Sequence, residues 1–256
     1  MRIRNAKWAL AAIAISLPFA AIATPVYTSF GSLPGANFGG TGIPNNAVAK
    51  TDVFVNGTDQ VTLALTAHAR YSNTPVTDNG AGDYYAGPGQ NCGVTTDPIG
   101  CPSASQGALW NFAYYINVAG GGKLSDYTFT LYYDFDPGVN TAFGTLGNVN
   151  VSNYLTAIGY PGYPAIATLV QDSQNLLFSG FSTTVPGIVT VPTIGAFNPN
   201  ALGEYNFYLG FSKINLPLFT GTVGIDMNVV PVPPAAFLFS SALGLLGLAR
   251  RRQSTV

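Results

Sequence analysis

The sequence predicts an all-β protein, an antiparallel β-sandwich of about eight to ten strands. Three observations predict it. Apolar residues recur at spacing two through the middle of the chain, turn-forming clusters separate these runs, and no stretch there keeps a 3.6-residue period over helical length.

The first long run sets Val61, Leu63, Leu65, Ala67, Ala69 and Tyr71 on one face, with Thr62, Thr66, His68 and Arg70 on the other. Trp110, Phe112, Tyr114, Ile116 and Val118 repeat the pattern, followed by Tyr127, Phe129, Leu131, Tyr133 and Phe135. Asn111, Asn117, Thr128, Thr130 and Asp134 take the opposite, polar faces of these two runs. Tyr205, Phe207, Leu209 and Phe211 form the next strand, and Val223, Ile225, Met227 and Val229 the last. Shorter candidates are Val53–Val55, Leu176–Phe178 and Ile188–Val191. Asn56-Gly57, Asp78-Asn79-Gly80, Gly120-Gly121-Gly122, Asp136-Pro137-Gly138 and Pro186-Gly187 supply the turns. Residues 24–50 and 72–106, rich in Gly, Pro, Asn and Thr, read as an extended lead-in segment and a long surface loop.

Both ends of the chain read as processing signals. Arg2, Arg4 and Lys7 precede an uncharged run from Trp8 to Ala23 that closes with Ala21-Ile22-Ala23, so residues 1–23 are expected to be a signal helix cut after Ala23. At the other end, Val230-Pro231-Val232-Pro233-Pro234 is followed by an apolar segment from Ala235 to Ala249 and then by Arg250, Arg251 and Arg252. As a helix that segment is roughly 22 Å long, short of a hydrocarbon core of about 30 Å, which makes it transmembrane-like but a poor permanent anchor. With the N-terminal side exported, the three arginines stop on the cytoplasmic side.

A Val-Pro-x-Pro box, an Ala- and Leu/Gly-rich helix and a terminal arginine cluster resemble the PEP-CTERM sorting tail, in its Val-Pro-Leu-Pro-Ala variant. Val230, Pro231 and Pro233 match that variant, while Val232 stands where Leu is usual and Pro234 where Ala is usual. The resemblance covers residues 230–256. It implies processing by an exosortase, an integral-membrane enzyme of Gram-negative bacteria that make extracellular polysaccharide. The chain then divides into a signal peptide (1–23), a β-sandwich (24–229) and a sorting tail (230–256).

Six of the ten basic residues lie in the two ends and all eleven acidic residues lie between them. The middle therefore carries four basic residues against eleven acidic ones, net −7, which argues against a nucleic-acid partner. Cys92 and Cys101, the only cysteines, flank a turn-rich stretch, and in an exported protein a disulfide is expected. Two thiols at this spacing lack the second close pair of a zinc site.

No catalytic residue is expected. His68 is the single histidine, placed by the alternation on the solvent face beside Arg70, and neither a Gly-x-Ser-x-Gly elbow nor a His-Glu-x-x-His pair occurs. Gly120-Gly121-Gly122-Lys123 has Asn117 and Leu124 where a phosphate loop needs Gly and Ser or Thr, so it reads as a glycine hairpin. Asp134 and Asp136, with Asn140 after them, are a weak Ca²⁺ candidate set against a turn that simply ends a strand. They sit two apart on one strand and do not flank a bond as glycosidase carboxylates do. Tyr115, Tyr132 and Tyr208 fall opposite the main core and either stack on sugars or pack under loops. No cofactor is expected.

The expectation is an exported envelope or matrix protein without catalytic activity of its own, handled by signal peptidase and exosortase. It is held transiently at the inner membrane by its tail and then released to the cell surface or polysaccharide. The alternative is a carbohydrate- or calcium-binding module at that surface.

Overall fold

The computed structural model describes residues 25–55, 58–71, 73–92 and 106–231, the side chains of 216–219 excepted. Ala21, Ala23, the signal helix, Cys101, Val232, Pro233, Pro234, the tail helix and Arg250, Arg251 and Arg252 lie outside the described residues. Among the described residues, no helix is long and apolar enough to cross a membrane.

The chain is mostly β. Its strands are β1 (Ser29–Gly31), β2 (Val48–Val55), β3 (Asp59–Ala69), β4 (Thr77–Asp78), β5 (Asp83–Ala86), β6 (Gln90–Asn91) and β7 (Gly107–Ala108). They continue with β8 (Trp110–Ala119), β9 (Tyr127–Tyr133), β10 (Gly147–Asn150), β11 (Leu169–Gln174), β12 (Val189–Thr190), β13 (Gly203–Lys213) and β14 (Leu216–Val229). One sheet has five strands in the order β1-β2-β3-β8-β11, and another has seven in the order β12-β10-β9-β13-β14-β5-β4. Strands β6 and β7 pair separately beside them. Every described pairing between named strands is antiparallel except that of β14 with β5, which is parallel and departs from the expected all-antiparallel order.

The period-two runs explain this arrangement. Leu63, Leu65, Phe112 and Ile116 from the five-stranded sheet share one core with Phe129, Tyr133, Phe207, Leu209, Ile225 and Met227 from the seven-stranded sheet. Each of these side chains is essentially without solvent contact, and burial of one aliphatic or aromatic side chain stabilises by roughly 1.5–3 kcal/mol. Phe112 stacks on Phe207 across the two sheets at 4.4 Å, and Trp110 meets Phe207 edge-on at 6.2 Å.

Several expectations are corrected. Tyr71 lies past the end of β3, two-thirds exposed, and does not continue the inner face. Leu176–Phe178 is not a strand: the pairing segment is β11, just before it, where Val170 alone is fully buried and no alternation shows. Gly120-Gly121-Gly122 is not a hairpin, because β8 and β9 belong to different sheets. It crosses from one sheet to the other, and Gly120, at φ +93°, passes so close to the Thr58 carbonyl that a Cβ there has no space.

Two short helices also occur, α1 (Val151–Ala157) and α2 (Ser179–Ser182). Asn150 caps α1 by accepting from the Asn153 N–H at 2.9 Å, and Val151 and Leu155, one turn apart, bury its inner face. At two turns, α1 is too short to leave a readable period.

The lead-in segment is also more ordered than expected. After β1 it crosses the outer face of the five-stranded sheet, where Phe38 packs with Ala36, Val48, Ala64, Ala113 and Tyr115 as a second small core. Gln171 Oε1 holds it there, accepting from the Asn37 and Phe38 N–H groups at 2.9 and 2.8 Å.

Where β3 begins, Asp59 accepts from Tyr127 Oη at 3.0 Å and pairs with Lys213 Nζ at 3.1 Å. Desolvation raises the Asp59 carboxyl, but the Lys213 and Tyr127 bonds outweigh it and hold the group below its ordinary value. Lys213→Met is expected to cost about 1–2 kcal/mol, because it leaves a poorly solvated carboxylate with one bond fewer. Urea unfolding of the variant at neutral pH checks this.

Candidate functional site

The outer face of the five-stranded sheet carries the main cleft. Phe38 and its neighbours cover one half of the face, and beside them opens a depression of about 690 Å³. Its floor is made by outward residues of three adjacent strands. His68 on β3 lies opposite Asn111 on β8, and Ser173 on β11 lies opposite Ala113, two residues along β8 from Asn111. Ile43, Asn46, Tyr71 and Phe178 are among the residues around it.

These floor residues form a hydrogen-bond chain with one direction. Asn175 Nδ2 donates to Asn111 Oδ1 (2.7 Å), and Asn111 Nδ2 donates to Ser173 Oγ (2.9 Å). Ser173 Oγ lies 2.8 Å from His68 Nε2, and His68 Nδ1 lies 2.9 Å from the Ala69 carbonyl. The carbonyl can only accept, so Nδ1 carries the proton, Nε2 accepts, and the Ser173 hydroxyl donates. Burial pushes the imidazole below its ordinary value of 6.5 despite the Ala69 bond, so His68 is neutral at pH 7.

A serine bonded to a neutral histidine is the geometry of a nucleophile and its base. Here, however, Nδ1 is spent on a backbone carbonyl where a carboxylate would be needed to stabilise an imidazolium, and Asn111 fixes Ser173 Oγ as an acceptor. The arrangement is suited to presenting fixed donors and acceptors to an uncharged polar ligand.

The residue that follows β3 supplies the cation of the cleft. Arg70 is buried, donates from Nη1 to the Asn91 carbonyl at 2.7 Å, and lies 5.2 Å from the Tyr71 ring centre and 5.9 Å from that of Phe178. Desolvation is the main influence on the guanidinium and lowers its pKa. Gly107 makes room for it, since a Cβ at 107 would overlap the guanidinium. Tyr71 itself takes φ +53°, a conformation that a bulky side chain rarely adopts, and projects its ring into solvent. The expectation of a solvent-facing His68 beside Arg70 is therefore corrected: both are buried, His68 on a face that the lead-in segment crosses and Arg70 against Asn91, Gly107 and Phe178.

No family model, curated protein or solved structure matches this chain.

The remaining sequence candidates fall elsewhere. Asp134 is buried and Asp136 half-buried, and they do not converge. Asp134 Oδ1 accepts from the Asp136 N–H (2.8 Å), and Asp136 Oδ1 accepts from the Gly138 N–H (2.9 Å), so each closes a turn. Among the described residues, no three His, Cys, Asp or Glu side chains gather as metal ligands. Beyond its local bond, Asp134 also meets another strand, out of reach of local pattern. One step past the Tyr133–Phe207 pair stands Asn206, whose Nδ2 donates to Asp226 Oδ1 at 2.8 Å. Asp134 Oδ2 and Asn206 Oδ1 are both buried without a hydrogen-bond partner. Burial raises the Asp134 carboxyl to about 6, with Asp136 adding to the shift, while bonds from Thr141 and the backbone oppose it.

Of the outward tyrosines, Tyr115 is buried under the lead-in segment. Tyr132 and Tyr208, both half-buried, flank the exposed Phe143, at 4.6 and 5.9 Å between ring centres. Cys92 is disulfide-bonded, and the one other cysteine of the sequence is Cys101. Val230 and Pro231 follow directly on β14.

Proposed function

We propose that this chain is an exported envelope or extracellular-matrix protein, sorted and processed by an exosortase at its tail, whose mature domain is a β-sandwich without catalytic activity that binds polysaccharide. The observation that carries the binding part is the cleft over His68, Asn111 and Ser173, flanked by the Tyr71 and Phe178 rings. Sugar rings offer hydroxyls that both donate and accept, and apolar faces that stack on aromatic rings. The cleft floor is built from neutral polar groups, with aromatic rings at its side. The acidic balance of residues 24–229 favours a neutral polymer over an anionic one.

Two experiments test the two parts. With the domain tagged, the peptide through Val256 is expected to be lost in a cell that has its exosortase and retained in one that lacks it. Retention in both refutes the sorting claim. In a glycan array, Tyr71→Ala is expected to weaken binding of a neutral polysaccharide by about tenfold, the scale of a lost aromatic contact. His68→Gln, which breaks the directed chain, is expected to weaken it similarly. Equal binding by parent and both variants moves the site away from this cleft.

A further inference from the structure

The space between the two sheets is not filled evenly. Near the edges formed by β10, β12 and β11, α1 and the segment after α2 close the gap between the sheets, and beneath them lies a cavity of about 290 Å³. Tyr114 from the five-stranded sheet, Leu131 and Val149 from the seven-stranded sheet, Val151 from α1, Phe181 from α2 and Ile188 from the segment after it line it. Ile158 and Val185, also part of the lining, are exposed large apolar side chains and form its rim.

One polar group stands out in this wall. The Tyr114 side chain is only 4% exposed, and its hydroxyl makes no hydrogen bond among the described residues. Burial, with the nearby Asp172, Tyr154 and Tyr160, drives its pKa upward, so the phenol is a neutral donor at any ordinary pH. A phenol O–H in a mostly apolar wall favours a ligand whose oxygen accepts from it.

The charge of the surroundings selects the ligand further. Among the described residues, no lysine or arginine lines the cavity, and Asp172 is the formally charged group acting on Tyr114. An anionic head group is therefore disfavoured. At roughly 30 Å³ for each water-sized group, the volume holds about ten non-hydrogen atoms.

We propose that this cavity is a second binding site, independent of the cleft, for an uncharged medium-chain alkyl molecule whose single oxygen accepts from Tyr114. The apolar body lies against Leu131, Val149 and Ile188, and the rim residues Ile158 and Val185 admit it.

The test is calorimetric titration of the full chain with 1-nonanol, which has ten non-hydrogen atoms, and with nonanoate at pH 8. One saturable 1-nonanol site is expected, with nonanoate weaker by about tenfold or more. Tyr114→Phe is expected to weaken 1-nonanol by about tenfold, the scale of one hydrogen bond in a closed site. Val149→Phe fills the cavity and abolishes binding. Val185→Trp, a change at an exposed rim position that leaves the core packing intact, blocks entry and does the same. His68→Gln leaves binding unchanged. The proposal is overturned by an absence of saturable binding in the parent, by 1-nonanol binding that survives Val185→Trp in the folded protein, or by nonanoate binding as tightly as the alcohol.

Discussion

Asp226→Asn is expected to make the protein progressively more stable than its parent as the pH rises from 4 to 8. Asp226 is almost fully buried on β14, and burial is the main reason its carboxyl is pushed up to about 7 from an ordinary 3.8. Glu204 on the neighbouring strand and Asp83 on β5 push in the same direction, while the Asn206 bond opposes them. A folded-state pKa above the unfolded value gives stability that is complete below about 4 and is lost as the pH climbs through the folded value. Every tenfold loss of acidity on folding corresponds to about 1.4 kcal/mol, so the ionised carboxylate costs on the order of 3–4 kcal/mol at pH 8. Asparagine keeps an oxygen to accept from Asn206 and has no charge to bury. Asp134, raised to about 6, adds a smaller loss in the same direction. His68 acts oppositely, since its lowered pKa removes stability as the pH falls below 6.5. The variant-minus-parent difference in urea midpoint between pH 4 and 8 isolates the Asp226 contribution. A flat difference would show that this carboxylate is already ionised and satisfied in the fold.

Asn175→Ala is expected to be the most damaging single substitution outside the aromatic core, at about 3–5 kcal/mol. The side chain has no solvent exposure and supplies bonds that the backbone cannot replace. Its Oδ1 accepts from the Ala108 and Leu177 N–H groups at 2.9 and 3.1 Å. Its Nδ2 donates to the Ala108 and Trp110 carbonyls at 3.1 and 2.8 Å, and to Asn111. Alanine leaves buried peptide groups unpaired on two segments at once and frees Asn111 to turn away from Ser173. Asn175→Asp separates these roles, because it keeps the acceptor and loses the donor. It is expected to be as harmful as alanine at pH 7, where a carboxylate would face three acceptors, and to recover partly at low pH. Thermal melts at pH 7 and pH 4 check this. An Asp variant that melts with the parent at both would show that the amide donors contribute nothing.

The inner faces of the long strands were legible because a spacing of two is imposed by the pleat itself, as in Trp110 to Val118 and Tyr205 to Phe211. The outer faces were not. Alternation says that His68 and Leu65 point opposite ways, but it cannot say whether another segment covers the second face, and here the lead-in segment with Phe38 does. Strand β11 escaped because Val170 is its only fully buried side chain and polar residues fill the rest. The partners in the cleft are separated by long stretches of sequence: His68 meets Ser173, and Asn111 meets Asn175, only through the strand order β3-β8-β11. The same holds in part for Asp134, which closes a local turn on Asp136 but also stands beside Asn206 of β13. Turn chemistry was readable locally, as Asp136 closing on Gly138 shows, because its hydrogen bond spans two residues.

The placement of β14 between β13 and the parallel β5 has a mechanical consequence. Any pull applied through the residues after Val229 runs along β14, whose final residues are bonded on both sides, to Gly203–Asn206 and to Asp83–Ala86. Those bonds lie across the line of force and are loaded together in shear, rather than peeled one at a time as at a sheet edge. The domain is thus gripped at its exit point like a strap sewn along both borders. Tension on the tail is spread into the middle of the seven-stranded sheet before any strand can come away.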